Sequence, residues 1–229
     1  MGLRPGVPPP GDRRVAGLSG VLFVRHASTP GMRAACFPAS DAHADTASLA
    51  RATALAQTVA RAAAGSAVGP GTGAAPGAAV VGTAGVVAWA APSVAAGQTV
   101  AALGLAARAV PALAEVDCGR WRGLPYERVA REEPDALASW LTDPHAAPHG
   151  GDSLAAHAER VAAWLESVRA EPGVVAVCDA GAIRAALGHA LGLDPLSAAR
   201  FDLAPLSVTE LTVTRAGWRV AHVNRKVLI

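Results

Sequence analysis

The sequence predicts an α/β domain in which helices cover both faces of a mostly parallel sheet. Short apolar segments at 20–24 and 174–177 are typical of strands buried in the middle of a sheet. Segments of helical character alternate with them along the chain, which indicates a three-layer α/β/α sandwich. The length of 229 residues fits one domain with a sizeable core.

The first part of the chain is predicted to hold a tail, two strands and one helix. Residues 1–18 are rich in Pro, Gly and Arg and predict a disordered tail ahead of a domain over 19–229. The remaining predictions are a strand at 20–24, an irregular loop over 30–47, a helix over 48–64 with Ser48 as its N-cap, a flexible surface insertion over 65–77 and a strand over 80–89.

The second part of the chain predicts mainly helices and ends in a hairpin. The predicted helices cover 93–103, 126–141, 152–170 and 182–192, and a buried strand covers 174–177. Apolar and polar residues alternate over 207–213 and 218–223, which predicts two antiparallel strands that turn at Ala216-Gly217.

Arg25 and His26 directly follow the first predicted strand. In an open α/β sheet, ligands bind just past the carboxyl ends of the strands. An imidazole can attack a phosphorus atom, and an adjacent guanidinium can clamp phosphate oxygens. From these residues alone, the interpretation as two solvated polar side chains at a strand end stays open.

The segment Arg25-His26-Ala27-Ser28-Thr29 resembles the Arg-His-Gly-x-Thr signature of the histidine phosphatase superfamily, which includes the phosphoglycerate mutases. Residues 113–123 resemble its Leu-x-Glu…Gly-x-Trp-x-Gly segment, 148–153 its Gly-Gly-Glu-Ser turn, and 174–184 its strand–His-Gly-Gly–helix segment. The resemblance runs from about residue 19 to the C-terminus and implies a phosphoglycerate mutase-like fold.

The resemblance also implies a reaction and the residues that carry it. His26 matches the nucleophile that takes the phosphoryl group, Arg25 matches the first phosphate clamp, and Glu115 matches the proton donor, with Asp117 a weaker candidate. Catalysis of this kind rests on positioning and on stabilising the charge of the phosphoryl group. The implied activity is hydrolysis of a phosphorylated small molecule through a phosphohistidine, without a cofactor or a metal.

Two positions depart from the family pattern. The family's second arginine lies in a segment like Ser-Pro-x-Arg-Arg-Ala-x-Gln-Thr, and Gln98-Thr99 fixes a register in which Ala95 stands in its place. Asp179 replaces the second histidine. An ionised carboxylate about 4 Å from a phosphate charge costs roughly 4 kcal/mol at an effective dielectric of about 20. We therefore expect weak hydrolysis that improves as the pH falls, or alternatively a catalytically degenerate protein that binds a small ligand or a partner.

Other assignments stay open at this level. Asp179 could be protonated beside an anion, and another arginine could replace the missing clamp, the candidates being Arg33, Arg120, Arg122 and Arg184. His145 and His149 are four residues apart and could form a zinc pair, and a second metal alternative combines His26, Glu115, Cys178 and Asp179.

Composition excludes several classes of function. A formal charge of +2 without a Lys/Arg cluster argues against nucleic acid as a partner. Much of the 52% hydrophobic content is alanine, and no apolar run of about 18 residues predicts a membrane span. Residues 1–10 lack the apolar core of a signal peptide, and three sparse cysteines fit a reducing cytoplasm. We expect a cytoplasmic protein of undetermined oligomeric state.

Overall fold

The computed structural model describes residues 20–67, 87–171 and 173–226, and these form one six-stranded sheet with helices packed against it. The strands are β1 Gly20–Arg25, β2 Val87–Ala90, β3 Ala107–Ala109, β4 Val174–Cys178, β5 Val208–Thr214 and β6 Gly217–Arg225. The helices are α1 Pro30–Arg33, α2 Thr46–Ala67, α3 Val94–Ala102, α4 Tyr126–Glu132, α5 Pro134–Thr142, α6 Leu154–Ser167, α7 Ala180–Leu191 and α8 Pro195–Ala198.

The sheet order is β3-β2-β4-β1-β5-β6, and β1 and β4 lie at its centre. Strands β3, β2, β4 and β1 pair in parallel, while β5 pairs antiparallel with both β1 and β6. Helix α2 packs on α3, and α6 packs on α7. The α/β fold with a mostly parallel sheet, as expected from the sequence, is confirmed.

The central strands are apolar because both of their faces are covered. Every residue of β4 is buried, and so is every residue of β1 before Arg25. Because β1 and β4 are parallel neighbours, with Arg25 opposite Cys178, the residues that follow the two strands emerge side by side. His26 and Asp179 are those residues.

A second, smaller core lies beside the main one and is built largely from aromatic rings. Its buried members are Phe37, Val116, Cys118, Trp121, Val129 and Trp140. The rings of Phe37 and Trp121 lie 5.2 Å apart at their centroids, and Trp121 meets Trp140 edge-on at 6.2 Å. This aromatic core fixes the segment that carries Glu115, because Val116 is part of it.

Two sequence-based expectations about helices are wrong. The single helix expected over 126–141 is two helices, α4 and α5, separated at Glu133 with φ −135° and ψ 53°. The residue before a proline avoids the helical region, so Pro134 ends one helix and begins the next. Ser48 is not an N-cap, because α2 begins at Thr46; its Oγ instead accepts the backbone N–H of Ser28.

Several short elements were not expected from the sequence. The four-residue helix α1 lies within the predicted loop 30–47, and β3 and α8 have too few residues to produce a periodic pattern. The predicted tail 1–18 and most of the predicted insertion 65–77 lie outside the described residues, although 65–67 belong to α2. Among the helices of the described part, none is long and apolar enough to cross a membrane.

Candidate active site

His26 lies at the end of β1 and is buried, with 5% of its surface exposed. Its backbone N–H donates to the carbonyl of Cys178 at 3.0 Å, which extends the pairing of β1 with β4 by one residue. The next backbone N–H, of Ala27, donates to the Thr99 hydroxyl at 3.0 Å. The imidazole is therefore fixed at the carboxyl edge of the sheet, where the sequence predicts a ligand site.

Both ring nitrogens of His26 face acceptors. Nδ1 lies 2.7 Å from the carbonyl oxygen of Ala27, and Nε2 lies 2.8 Å from Oδ1 of Asp179. Because a carbonyl only accepts, Nδ1 carries a proton, and Nε2 pairs with the carboxylate best when it is protonated too. Burial lowers the pKa of His26, but the hydrogen bond and the charge of Asp179 outweigh burial, so the pKa is raised above its ordinary value.

Asp179 is held from two sides. Its Oδ1 pairs with His26, and the Ser93 hydroxyl lies 3.4 Å from its Oδ2. Asp179 occupies the N-cap position of α7, yet its side chain makes no capping bond within the described structure, since the carboxylate turns to the imidazole. Asp179, which the sequence resemblance aligns with a second histidine, thus contacts Nε2 of His26 directly.

Glu115 is held by backbone donors. Its Oε1 accepts from the N–H of Val116 at 2.9 Å, and its Oε2 accepts from the N–H of Gly181 at 2.8 Å. Gly181 lies in the first turn of α7, where exposed N–H groups and the helix dipole favour a negative group. A Cβ at position 181 would come within 1.8 Å of Oε1, so the carboxylate requires glycine there.

Sequence reasoning did not find a network of polar side chains behind Glu115. His157 is 3% exposed, and its Nδ1 accepts from Arg160 at 2.9 Å. Arg160 also donates to the carboxylate of Asp152 and to the carbonyl of Ala114. Nε2 of His157 lies 3.9 Å from Oε1 of Glu115 and has no hydrogen-bond partner among the described residues.

The turn at 148–153 is joined directly to the loop that follows Glu115. The N–H of Asp152 donates to the Asp117 carbonyl at 2.8 Å, and the Arg120 N–H donates to the His149 carbonyl at 3.1 Å. A Cβ on Gly151 would lie 1.9 Å from the Asp117 carbonyl oxygen, so the close approach depends on this glycine. The two segments singled out separately in the sequence therefore form one support for Glu115.

Arg25 lies beside His26 but is partly engaged elsewhere. One of its terminal nitrogens donates to the carbonyl of Leu203, and its buried Nε has no partner among the residues that the structure describes. Burial, together with the nearby charge of Arg184, lowers the pKa of Arg25. Arg184 donates through Nε to the carbonyl of Phe201, which places this second guanidinium close to the site.

The other candidate arginines differ in position. Arg33 pairs with Asp45, and Arg120 pairs with Glu133. Arg122 pairs with Asp117 at 2.7 Å and lines a cavity of about 260 Å³ together with Glu115 and Asp179. Of the four arginines, Arg122 and Arg184 therefore lie at the site.

Ala95 lies in α3 and is 3% exposed. Its carbonyl accepts from the hydroxyl of Thr99, the same hydroxyl that binds the N–H of Ala27. Position 95 is therefore connected through Thr99 to the backbone beside His26, where a second phosphate-binding arginine would lie. Alanine at this position provides no positive charge.

The metal alternatives find no support in the geometry. His149 is buried against Trp121 and Trp140 and accepts from the N–H of Gly151, while His145 is exposed. Cys178 is fully buried in β4. Across 20–67, 87–171 and 173–226, no group of three His, Cys, Asp or Glu side chains could hold a metal ion.

Comparison with known proteins identifies relatives. The sequence profile of the histidine phosphatase superfamily (branch 1) matches residues 76–226, a range that begins after His26. The chain is 36% identical over 84 residues to Phosphoserine phosphatase 1 of Hydrogenobacter thermophilus. That match covers 35% of this chain and 40% of the relative, which is less than half of either protein.

Similar solved structures cover nearly the whole chain. Mycobacterial hydrolase 1 matches 92% of this chain and 100% of its own, with a TM-score of 0.73 and 20% identity. A mutant phosphoserine phosphatase from Entamoeba histolytica in complex with phosphoserine matches 90% and 96%, with a TM-score of 0.71 and 15% identity. Mycobacterial glucosyl-3-phosphoglycerate phosphatase matches 91% and 100%, with a TM-score of 0.68 and 20% identity. At these identities the likeness shows the fold.

Proposed function

This chain belongs to the histidine phosphatase superfamily, branch 1, and from that membership we propose that it hydrolyses phosphomonoesters through a phosphohistidine on His26. The orientation of His26 carries the proposal. Its Nδ1 is engaged by the Ala27 carbonyl at 2.7 Å, so Nε2 is the nitrogen available for attack. Glu115 and Arg25 stand around the same end of the sheet.

The reaction has two steps. Nε2 of His26 forms a bond to phosphorus, the ester P–O bond breaks, and the departing oxygen takes a proton from Glu115. Water then attacks the phosphohistidine, Glu115 takes back a proton, and the N–P bond breaks to release phosphate. Arg25 would bind phosphoryl oxygens in both steps, because a guanidinium offers several donors in one plane.

Asp179 makes this activity weak. The carboxylate lies 2.8 Å from Nε2, the position that the phosphorus atom must approach. Attack therefore requires Asp179 to release the imidazole, and the imidazole to lose the proton that the pair shares. Loss of one preorganised donor, as at Ala95, typically costs a further 100- to 1,000-fold in rate.

A second candidate function is binding without turnover. The observation that favours it is the same contact between Asp179 and Nε2, which in a non-catalytic protein would stabilise an empty pocket. Such a protein would hold a small phosphorylated ligand or a partner without forming a covalent adduct.

Acid or base quenching after incubation with a radiolabelled aryl phosphate distinguishes the two functions. The hydrolase should give a phosphoryl adduct that survives base and is lost in acid, and His26→Ala should abolish both adduct and turnover. His222→Ala, at an exposed histidine on β6, is the matched control and should behave as wild type.

Turnover that persists unchanged in His26→Ala would overturn the mechanism. A folded wild-type protein that binds the aryl phosphate but forms neither adduct nor product would select the binding function.

A further inference from the structure

Two cavities meet at Glu115. The smaller, of about 260 Å³, is lined by Ser93, Asp179 and Arg122. The larger, of about 640 Å³, extends away from the sheet edge between α5, α6, α7 and α8. Glu115 lines both cavities, so the proposed proton donor stands at the junction between them.

The larger cavity is mostly apolar. Small residues of three helices leave its volume open, among them Ala158 and Ala162 of α6, Ala185 and Gly188 of α7, and Ala198 of α8. Bulkier apolar side chains line it as well, namely Trp140, Leu141, Leu154 and Leu196. Its volume falls in the range of about 300–1,000 Å³ that small-molecule sites occupy.

His157 is a buried polar residue of the helix that lines this cavity, and it lies behind Glu115. An arginine can only donate, so Nδ1 of His157, which faces Arg160 at 2.9 Å, is unprotonated, and the neutral ring carries its proton on Nε2. That N–H is buried behind Glu115, near the backbone of Gly181, and makes no hydrogen bond of normal geometry in the described part of the chain. Native proteins rarely leave such a donor unpaired, because its desolvation is costly.

Resting on the proposed function, we infer that the larger cavity binds the alcohol part of the substrate, and that the substrates are phosphomonoesters of apolar alcohols. With phosphorus at His26, the ester oxygen lies next to Glu115, and the carbon body continues past it into the larger cavity. The wall also carries Arg184, Glu159 and histidines, but most of its surface is apolar and favours an alkyl or aryl body over a charged one. The N–H of His157, 3.9 Å from Oε1 of Glu115, would hold the carboxylate that protonates the ester oxygen.

A series of n-alkyl phosphates tests this substrate class. Ethyl, butyl, hexyl and octyl phosphate have leaving groups of nearly the same basicity, so the chemical step is held constant while the apolar surface grows. The inference predicts that kcat/KM rises with chain length by up to roughly fourfold per methylene until the cavity is filled. Glycerol 3-phosphate and O-phosphoserine serve as polar comparisons and should be poorer substrates than butyl phosphate.

Filling the cavity should remove this preference. Ala158→Phe places a ring in the larger cavity, one residue from His157, and should lower kcat/KM for octyl phosphate by roughly tenfold or more while ethyl phosphate is little affected. Ala156→Phe is the matched control, because Ala156 is exposed on the same helix and does not line either cavity described above. The control should keep the wild-type dependence on chain length.

The outcomes separate this inference from the proposed function. Turnover that is independent of chain length in the wild type would overturn the substrate class and leave the hydrolase standing, whether or not Ala158→Phe folds. If no phosphate ester is turned over, calorimetric titration with the same alkyl phosphates decides. Affinity that rises with chain length would then support the apolar site and overturn the hydrolase, whereas uniform affinity would overturn the apolar site too.

Discussion

The two carboxylates of the site are held in different ways. Glu115 accepts two backbone N–H groups, from Val116 and Gly181. Asp179 is bound by side chains, those of His26 and Ser93. Backbone donors are fixed by the fold, whereas the bond to an imidazole depends on where a proton lies. One carboxylate is therefore positioned by architecture and the other by a titratable partner.

This difference assigns opposite effects to the two groups. Glu115 is held beside the start of α7 by backbone donors that do not titrate. Asp179 restrains Nε2 of His26 as long as the pair shares its proton. We accordingly expect substitution of Glu115 to remove activity and substitution of Asp179 to release it.

The largest effect is expected for Glu115→Gln. Glutamine keeps the size of the side chain but cannot donate the proton, and general acid catalysis typically contributes about 10²- to 10⁴-fold. Hydrolysis of butyl phosphate should fall by that factor, while an activated aryl phosphate, whose leaving group needs little protonation, should be hydrolysed nearly as before. Glu127→Gln is the matched control, since Glu127 is exposed on α4 and lines neither cavity. Equal slowing of alkyl and aryl phosphates would assign Glu115 a structural role.

Restoring the family's residues at both Ala95 and Asp179 should have the next largest effect. The double substitution Ala95→Arg with Asp179→His adds a clamp and frees Nε2, and restoring preorganised donors should raise kcat by roughly 10²- to 10³-fold. Each single substitution should raise log kcat by less than half as much as the double substitution, because the effects of groups that act on one charge are not additive. Phosphate affinity and turnover should be measured for the wild type, both singles and the double. A folded double variant that gains neither would contradict our account of the two departures.

The smallest effect is a shift in the pH dependence. Attack requires unprotonated Nε2, and Asp179 raises the pKa of His26, so phosphohistidine formation should increase with pH through that raised pKa. Inorganic phosphate should instead bind more tightly as the pH falls, because His26 then gains a positive charge. The tighter binding at low pH agrees with the expectation from the sequence. For hydrolysis, the ion pair between His26 and Asp179 predicts the opposite dependence, with rates that increase as the pH rises.

Asp179→Asn sharpens this test. The variant loses the charge of Asp179 while burial of His26 remains, so the apparent pKa of phosphohistidine formation should move down relative to wild type. Single-turnover rates across pH measure it, with Asp135→Asn, at an exposed position of α5, as the isosteric control. An unchanged profile would show that the titrating group is not His26.

The architecture could be predicted from the sequence because its central strands carry strong local signals. β1 and β4 are uninterrupted apolar segments, and both end at polar residues that a parallel pairing brings together. Elements with weak local signals were missed or misplaced. β3 has three residues, and the break between α4 and α5 depends on one proline within an otherwise helical pattern.

The site was predictable in its members but not in its contacts. The proximity of His26 to Asp179 follows from two neighbouring strands, yet the sequence does not say that the carboxylate turns to Nε2 in place of capping α7. His157 could have been found, because it lies three residues before an arginine on a predicted helix, a spacing that brings side chains together. Its position beside Glu115 depends on packing between distant segments, which no local pattern encodes.

The close approach of Glu115 to Gly181 has a consequence for which substitutions this chain tolerates. A methyl group at position 181 would collide only with the tip of a flexible side chain, at 1.8 Å, so the helix could keep its place while the carboxylate swings aside. Alanine at 181 would thus have little effect on folding but would displace Glu115, the proposed proton donor. In a chain that already lacks Glu115, alanine at 181 would cause no further loss of activity. Positions 115 and 181, which are 66 residues apart in sequence, are therefore mutationally coupled. Glycine at 181 is required by the chemistry of its neighbour and not by the fold.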